Sequence, residues 1–194
     1  MRVYGFIYND FKKMESFIYN KNINKEDNIL IQVFTGVIQL EFIKNIVDEI
    51  LSLLPQAEII GTTTAGEIFK KRILINSTVI SITIFEKTKI KSKLLNIDNN
   101  EYELGKNISK ELMEKDTKVL ILFSEGLLTN SLDIIKGMQA LNKNVIICGG
   151  KAGDNGCLRE TFVFTKEGIS KKGVAAVSLT GKELTVTTDY SLGW

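Results

Sequence analysis

The sequence predicts an α/β domain: a mixed parallel and antiparallel sheet with flanking helices, built as an internal pseudo-twofold repeat of strand-helix-strand-loop-hairpin units. Three observations predict it. Apolar, β-rich runs alternate with amphipathic helical stretches, the pattern of strand-helix-strand crossovers. The order of segments occurs twice, with NILIQVFTG (28–36) matched by KVLILFSEG (118–126) at an offset of 90 (118 − 28 = 90). Two similar loops, GTTTAGE (61–67) and GGKAGD (149–154), each follow an apolar run and close on a carboxylate, 87 positions apart (154 − 67 = 87). At 194 residues the chain reads as one domain, with repeat halves at about 28–95 and 118–190.

The elements follow in order. NILIQVFTG is a β-rich apolar run. In QLEFIKNIVDEILSLLP (39–55), Leu40, Ile43, Val47, Ile50 and Leu54 recur at helical spacing, and Pro55 marks the end. AEIIG is a short buried strand and TTTAGE its loop. TVISITIF (78–85) places Ile80, Ile82 and Ile84 on one face, and KIKSKLL (89–95) places Lys89, Lys91 and Lys93 on a wet one. With Glu86-Lys87 between them, the two runs predict an antiparallel hairpin. Leu104, Ile108 and Leu112 predict a helix at about 101–115. In the second half, Asn130 and Asp133 form the cap of a helix over SLDIIKGMQAL (131–141). NVIICG (144–149) is the second short strand, and GKAGD its loop. Apolar runs at 160–165, 173–180 and 184–190 predict an antiparallel meander.

Composition narrows the function. The formal charge of +2 carries no dense basic face, so nucleic acid is not an expected partner. No run approaches the ~18 apolar residues of a membrane span, and MRVYGFIYND has no signal-peptide pattern. Two cysteines, Cys148 and Cys157, make neither a disulfide framework nor a CxxC motif, so a reduced, cytoplasmic setting is expected. The chain has no histidine, which removes Ser-His and Cys-His catalysis, His-ligated zinc and His-ligated haem. Neither a metal nor a cofactor is expected.

Loops at the carboxyl ends of strands are the usual ligand positions in open α/β sheets. The first loop offers Thr62, Thr63, Thr64, Gly66 and Glu67; the second offers Gly149, Gly150, Lys151, Gly153 and Asp154. Ser124 and Glu125, after the strand KVLILF, make a third wall. Glycine amides, hydroxyls and an ammonium donate to a carboxylate, while the acids accept from an ammonium, so the pair of loops suits a small zwitterion such as an amino acid. The plainer alternative is a pair of tight turns whose acids cap neighbouring backbone. A second alternative is a hydrolase using Glu67 and Asp154 as acid and base. Arg159 reads as a surface salt-bridge partner, Cys148 as a buried small hydrophobe and Trp194 as a cover for the domain edge. Walker and GxGxxG phosphate motifs are absent.

GTTTAGEI, GGKAGD, FVFTKEGISKKGVAAVSLTG and the terminal Gly193-Trp194 together resemble the N-terminal region of FIST domains, over roughly 28–194. The resemblance implies a bacterial or archaeal sensory domain in signal transduction that binds small molecules such as amino acids. It also implies a C-terminal FIST region or a signalling output module as partner. Family members often carry a cysteine in the first loop where this chain has Thr62. Some bind haem and sense nitric oxide, an alternative that the missing histidine deprives of its usual ligand.

Overall fold

A computed structural model describes residues 1–98 and 100–189. In chain order the elements are β1 (Arg2–Ile7), α1 (Phe11–Asn20), β2 (Asn28–Thr35), α2 (Leu40–Leu53), β3 (Glu58–Thr63), β4 (Glu67–Phe69), β5 (Arg72–Leu74) and β6 (Thr78–Phe85). Then come β7 (Lys89–Asn96), α3 (Glu101–Leu112), β8 (Thr117–Ser124), α4 (Ser131–Gln139), β9 (Ile146–Lys151), β10 (Val163–Thr165), β11 (Gly168–Ser170) and β12 (Gly173–Thr180).

The fold is mixed α/β with two principal sheets. The first has the order β1-β6-β2-β3-β10-β11 and the second β7-β12-β8-β9, while β4 and β5 form a separate two-stranded hairpin. The crossovers through α2 and α4 yield parallel pairs, β2 with β3 and β8 with β9, whereas those through α1 and α3 join strands separated by β6 and β12. Every other pairing is antiparallel. The sequences β1-β6-β2-β3 and β7-β12-β8-β9 run through the same series of antiparallel, antiparallel and parallel joints.

Side-chain alternation divides each strand between two cores. In β2, Ile29, Ile31 and Val33 meet Met14 and Ile18 of α1 and Ile43, Ile46 and Ile50 of α2. Leu30 points the other way, into an inner layer with Ile60, Phe85, Val119, Phe123, Ala175 and Val177 from both sheets. Leu120, Leu122, Val174 and Ala176 leave the second sheet outward to meet Leu104, Ile108 and Leu112 of α3 and Ile134 and Met138 of α4. The layers therefore run helices, sheet, sheet, helices. Glu58 ties the sheets together: it accepts from the Ser92 backbone at 3.0 Å, the Ser92 hydroxyl at 2.5 Å and the Lys166 ammonium at 2.5 Å.

Local signals account for the helices. Asn100 caps α3 by accepting from the Glu103 N–H at 2.8 Å, and Asn130 caps α4 by accepting from Leu132 at 3.2 Å. The helices stop at Leu112 and Gln139, short of the predicted 115 and 141.

Several expectations are corrected. The runs 78–85 and 89–95 do not form a hairpin, because β1 and β2 already occupy both edges of β6 and β7 pairs along its length with β12. The meander over 160–190 is split: β10 and β11 extend the first sheet from β3, whereas β12 lies between β7 and β8 in the second. Residues 184–189 are not strand, and Tyr190 and Trp194 lie outside the described residues. Gly149, Gly150 and Lys151, expected in a loop, continue strand β9 opposite Leu122, Phe123 and Ser124. The elements β1 and α1 had no counterpart in the sequence reading.

Candidate functional site

The carboxyl ends of β3, β8 and β9 come together at one end of the molecule. The Gly153 N–H donates to the Thr63 carbonyl at 2.8 Å, Asn155 N–H to Thr64 at 3.3 Å, and Ala152 N–H to Ser124 at 2.8 Å. The two glycine-containing loops thus lie directly against each other. Gly153 is what permits this approach, since a Cβ there would stand 2.7 Å from the Ala65 nitrogen.

The acids face inward. Glu67 is 3% exposed; it accepts from the Thr64 hydroxyl and, at 2.6 Å, from Ser77. Asp154 is 5% exposed and accepts from the backbone N–H groups of Leu158 at 3.0 Å, Arg159 at 2.6 Å and Glu160 at 3.2 Å. The Arg159 N–H in particular holds the Asp154 carboxyl below its usual range. Glu125, also buried, accepts from Leu127, Leu128 and Thr129 N–H groups and from the Thr129 and Thr161 hydroxyls. Burial alone would raise its pKa, but these donors outweigh it and the pKa is lowered. All three carboxylates organise their own loops.

The remaining expected site residues separate. Thr62 and Thr63 are buried in β3, and the Thr63 hydroxyl accepts from the Phe162 N–H at 2.9 Å. Ser124, Gly149, Gly150 and Lys151 line a cleft of about 220 Å³ beside α4, where the Ser124 hydroxyl meets Ser131 at 3.0 Å. Lys151 donates to the Thr129 carbonyl at 2.8 Å. Asp154 borders a different cleft, of about 280 Å³, with Ile38, Asn155, Cys157, Arg159 and Glu160. Thr62, Thr63, Thr64, Gly66 and Glu67 line neither. A larger cleft of about 650 Å³ lies at the opposite end, between 85–88 and 181–185, away from these loops.

Two residues of the second cleft carry more than their sequence reading. Arg159 is exposed and makes no salt bridge among the described residues, against expectation. Asn155, at a positive φ of 56°, donates to the Gly36 carbonyl at 2.8 Å and to Asn76 at 2.9 Å, while its enclosed Oδ1 has no protein donor. The tolerance of asparagine for that backbone region, in the run Asp154-Asn155-Gly156, is the only advance signal it gave. Cys148 is exposed, not buried, because β9 is an edge strand. Among the described residues no group of three or more acids or cysteines is placed to hold a metal ion. No helix there is long and apolar enough to cross a membrane.

A family model described as FIST N domain matches residues 29–194 of the chain. No curated protein matches it.

Proposed function

The chain belongs to the FIST N domain family, sensory domains of signal transduction, and from that premise we propose that it senses a small carboxylate-bearing metabolite, an amino acid being the class that fits. The site is the cleft of Ile38, Asp154, Asn155, Cys157, Arg159 and Glu160. One observation carries the reading: Arg159 stands there with no acid partner among the described residues, while the neighbouring loop acids are consumed by their own backbones. A guanidinium in that position offers a planar, two-pronged donor to a ligand carboxylate. Glu160 on the same wall, its Oε1 paired with Lys171, leaves Oε2 as an acceptor for an ammonium group. In this reading Asp154 lines the cleft with its carboxylate occupied by its own loop, while Glu67 and the loop 61–67 lie outside it and do not touch the ligand. Occupancy is passed to a signalling output module or a further FIST region, in a cytoplasmic setting.

The acid-base reading has less behind it. Asp154, held ionised by backbone donors, is poorly suited to give up a proton at neutral pH.

The test is a thermal-shift screen against amino acids and related carboxylates. At 100 times its Kd a ligand stabilises by about 2.7 kcal/mol, readily seen as a rise in Tm. The rise is expected to vanish in Arg159→Gln and to persist in Lys151→Gln, which alters only the other cleft. A panel that leaves Tm unmoved, or a rise that survives Arg159→Gln, overturns the assignment.

A further inference from the structure

We propose that the β4–β5 hairpin docks the domain onto the surface of an anionic lipid bilayer. In most surface hairpins the apolar face turns inward, but here it turns out. Ile68 and Ile73 are cross-strand partners, and Ile75 continues the same alternation; they are 78%, 79% and 69% exposed. The opposite face is the one that packs: Glu67 is buried, and the Phe69 ring lies 3.1 Å from where a Cβ on Gly5 would stand. The three isoleucines therefore form an apolar surface that the other described residues do not cover, in a place where polar residues would cost nothing.

Charge identifies the occupant. The turn between the strands is Lys70-Lys71, both at positive φ (47° and 66°), and Arg72 follows. None of these three cations has an acid partner among the described residues; Lys70 lies only over the Phe69 ring, at 5.3 Å. From Ile68 through Phe85 the sequence contains no acidic residue. Aliphatic side chains beside unpaired lysine and arginine match the two layers of a bilayer surface, acyl boundary and anionic headgroups. Lysine is depleted at protein interfaces, and the lysine pair beside the isoleucines argues against a protein partner. A second copy is disfavoured too, since apposed isoleucine faces would bring six cations together with no intervening acid in 68–85. Leu158 and Leu128, 77% and 76% exposed, stand in the loops after β9 and β8 at the same end of the molecule. The association is peripheral and needs no spanning element.

Vesicle flotation tests it with the full chain. Recovery with phosphatidylcholine vesicles containing phosphatidylserine is expected to be several-fold above that with phosphatidylcholine alone, and to fall as salt is raised. Ile73→Asp and the double variant Lys70→Glu, Lys71→Glu should each abolish it. Because those side chains are exposed, Tm should stay at the wild-type value. Absence of flotation with phosphatidylserine, or flotation unchanged in both variants, overturns the proposal. A wild-type dimer that fails to float and that Ile73→Asp converts to monomer overturns it as well, and assigns the face to a second copy.

Discussion

At the scale of single residues, the main result is where the carboxylates point. Glu125 has five donors on its two oxygens and almost no exposure, so it is a structural charge. Its folded pKa is lowered, so the stability it contributes is present above the unfolded value of about 4.3 and is lost as pH falls through the folded value. Glu125→Gln keeps one acceptor but turns an amide donor toward the loop N–H groups. It should cost about 2 kcal/mol at pH 7, and the gap to wild type should narrow below pH 4 in urea titrations across pH. The acids themselves were visible in the sequence, and so was their capping alternative. Residue types could not decide between the two, because a carboxylate that caps a turn and one that binds an ammonium are the same group. Direction decides it, and direction depends on donors such as Ser77, ten positions from Glu67.

At the scale of elements, periodicity found what is local and missed what is not. Leu104, Ile108 and Leu112 marked α3 because a helix satisfies its own backbone, whatever surrounds it. The false hairpin of β6 and β7 arose because strands satisfy theirs through partners chosen elsewhere in the chain. Nothing in TVISITIF says that Arg2–Ile7 claims one of its edges. The contact of α3 with α4 was equally hidden. The two helices cross through Gly105 and Gly137: a Cβ on Gly105 would lie 2.1 Å from the Ile134 carbonyl oxygen, and one on Gly137 would lie 2.0 Å from that of Tyr102. At an exposed helix position Gly→Ala gains about 1 kcal/mol from propensity. Here Gly137→Ala must push two backbones apart, and a net loss of about 2 kcal/mol is expected from overpacking. Differential scanning calorimetry reads the sign; a Tm at or above wild type would mean that the helices can separate freely.

At the scale of the whole molecule, the inner layer makes the two sheets dependent on each other. Leu30, Ile60 and Phe85 share their cluster with no helix residue and are buried chiefly against the opposite sheet. The alternation of strands and helices was legible because each segment carries its own local pattern. The stacking was not, since an alternating strand buried on both faces looks in sequence like any other apolar run. The β10–β11 hairpin carries this dependence further. It belongs to the second half of the chain, yet it pairs with β3 and lengthens the first sheet, with Phe164 seated over Gly61, where a Cβ would fall 2.1 Å from the ring. The polypeptide crosses between the sheets at residues 86–88, and the hairpin crosses back. Covalent continuity at 86–88 is then less important than the noncovalent seam. Fragments 1–87 and 88–194 are each expected to be insoluble when made singly and to reassemble when co-expressed, so that a tag on one recovers the other in equal amount. Deleting 163–170 from the second fragment should end the recovery. Such a molecule should tolerate a cut at 86–88, because the later piece carries two strands of the earlier piece's sheet.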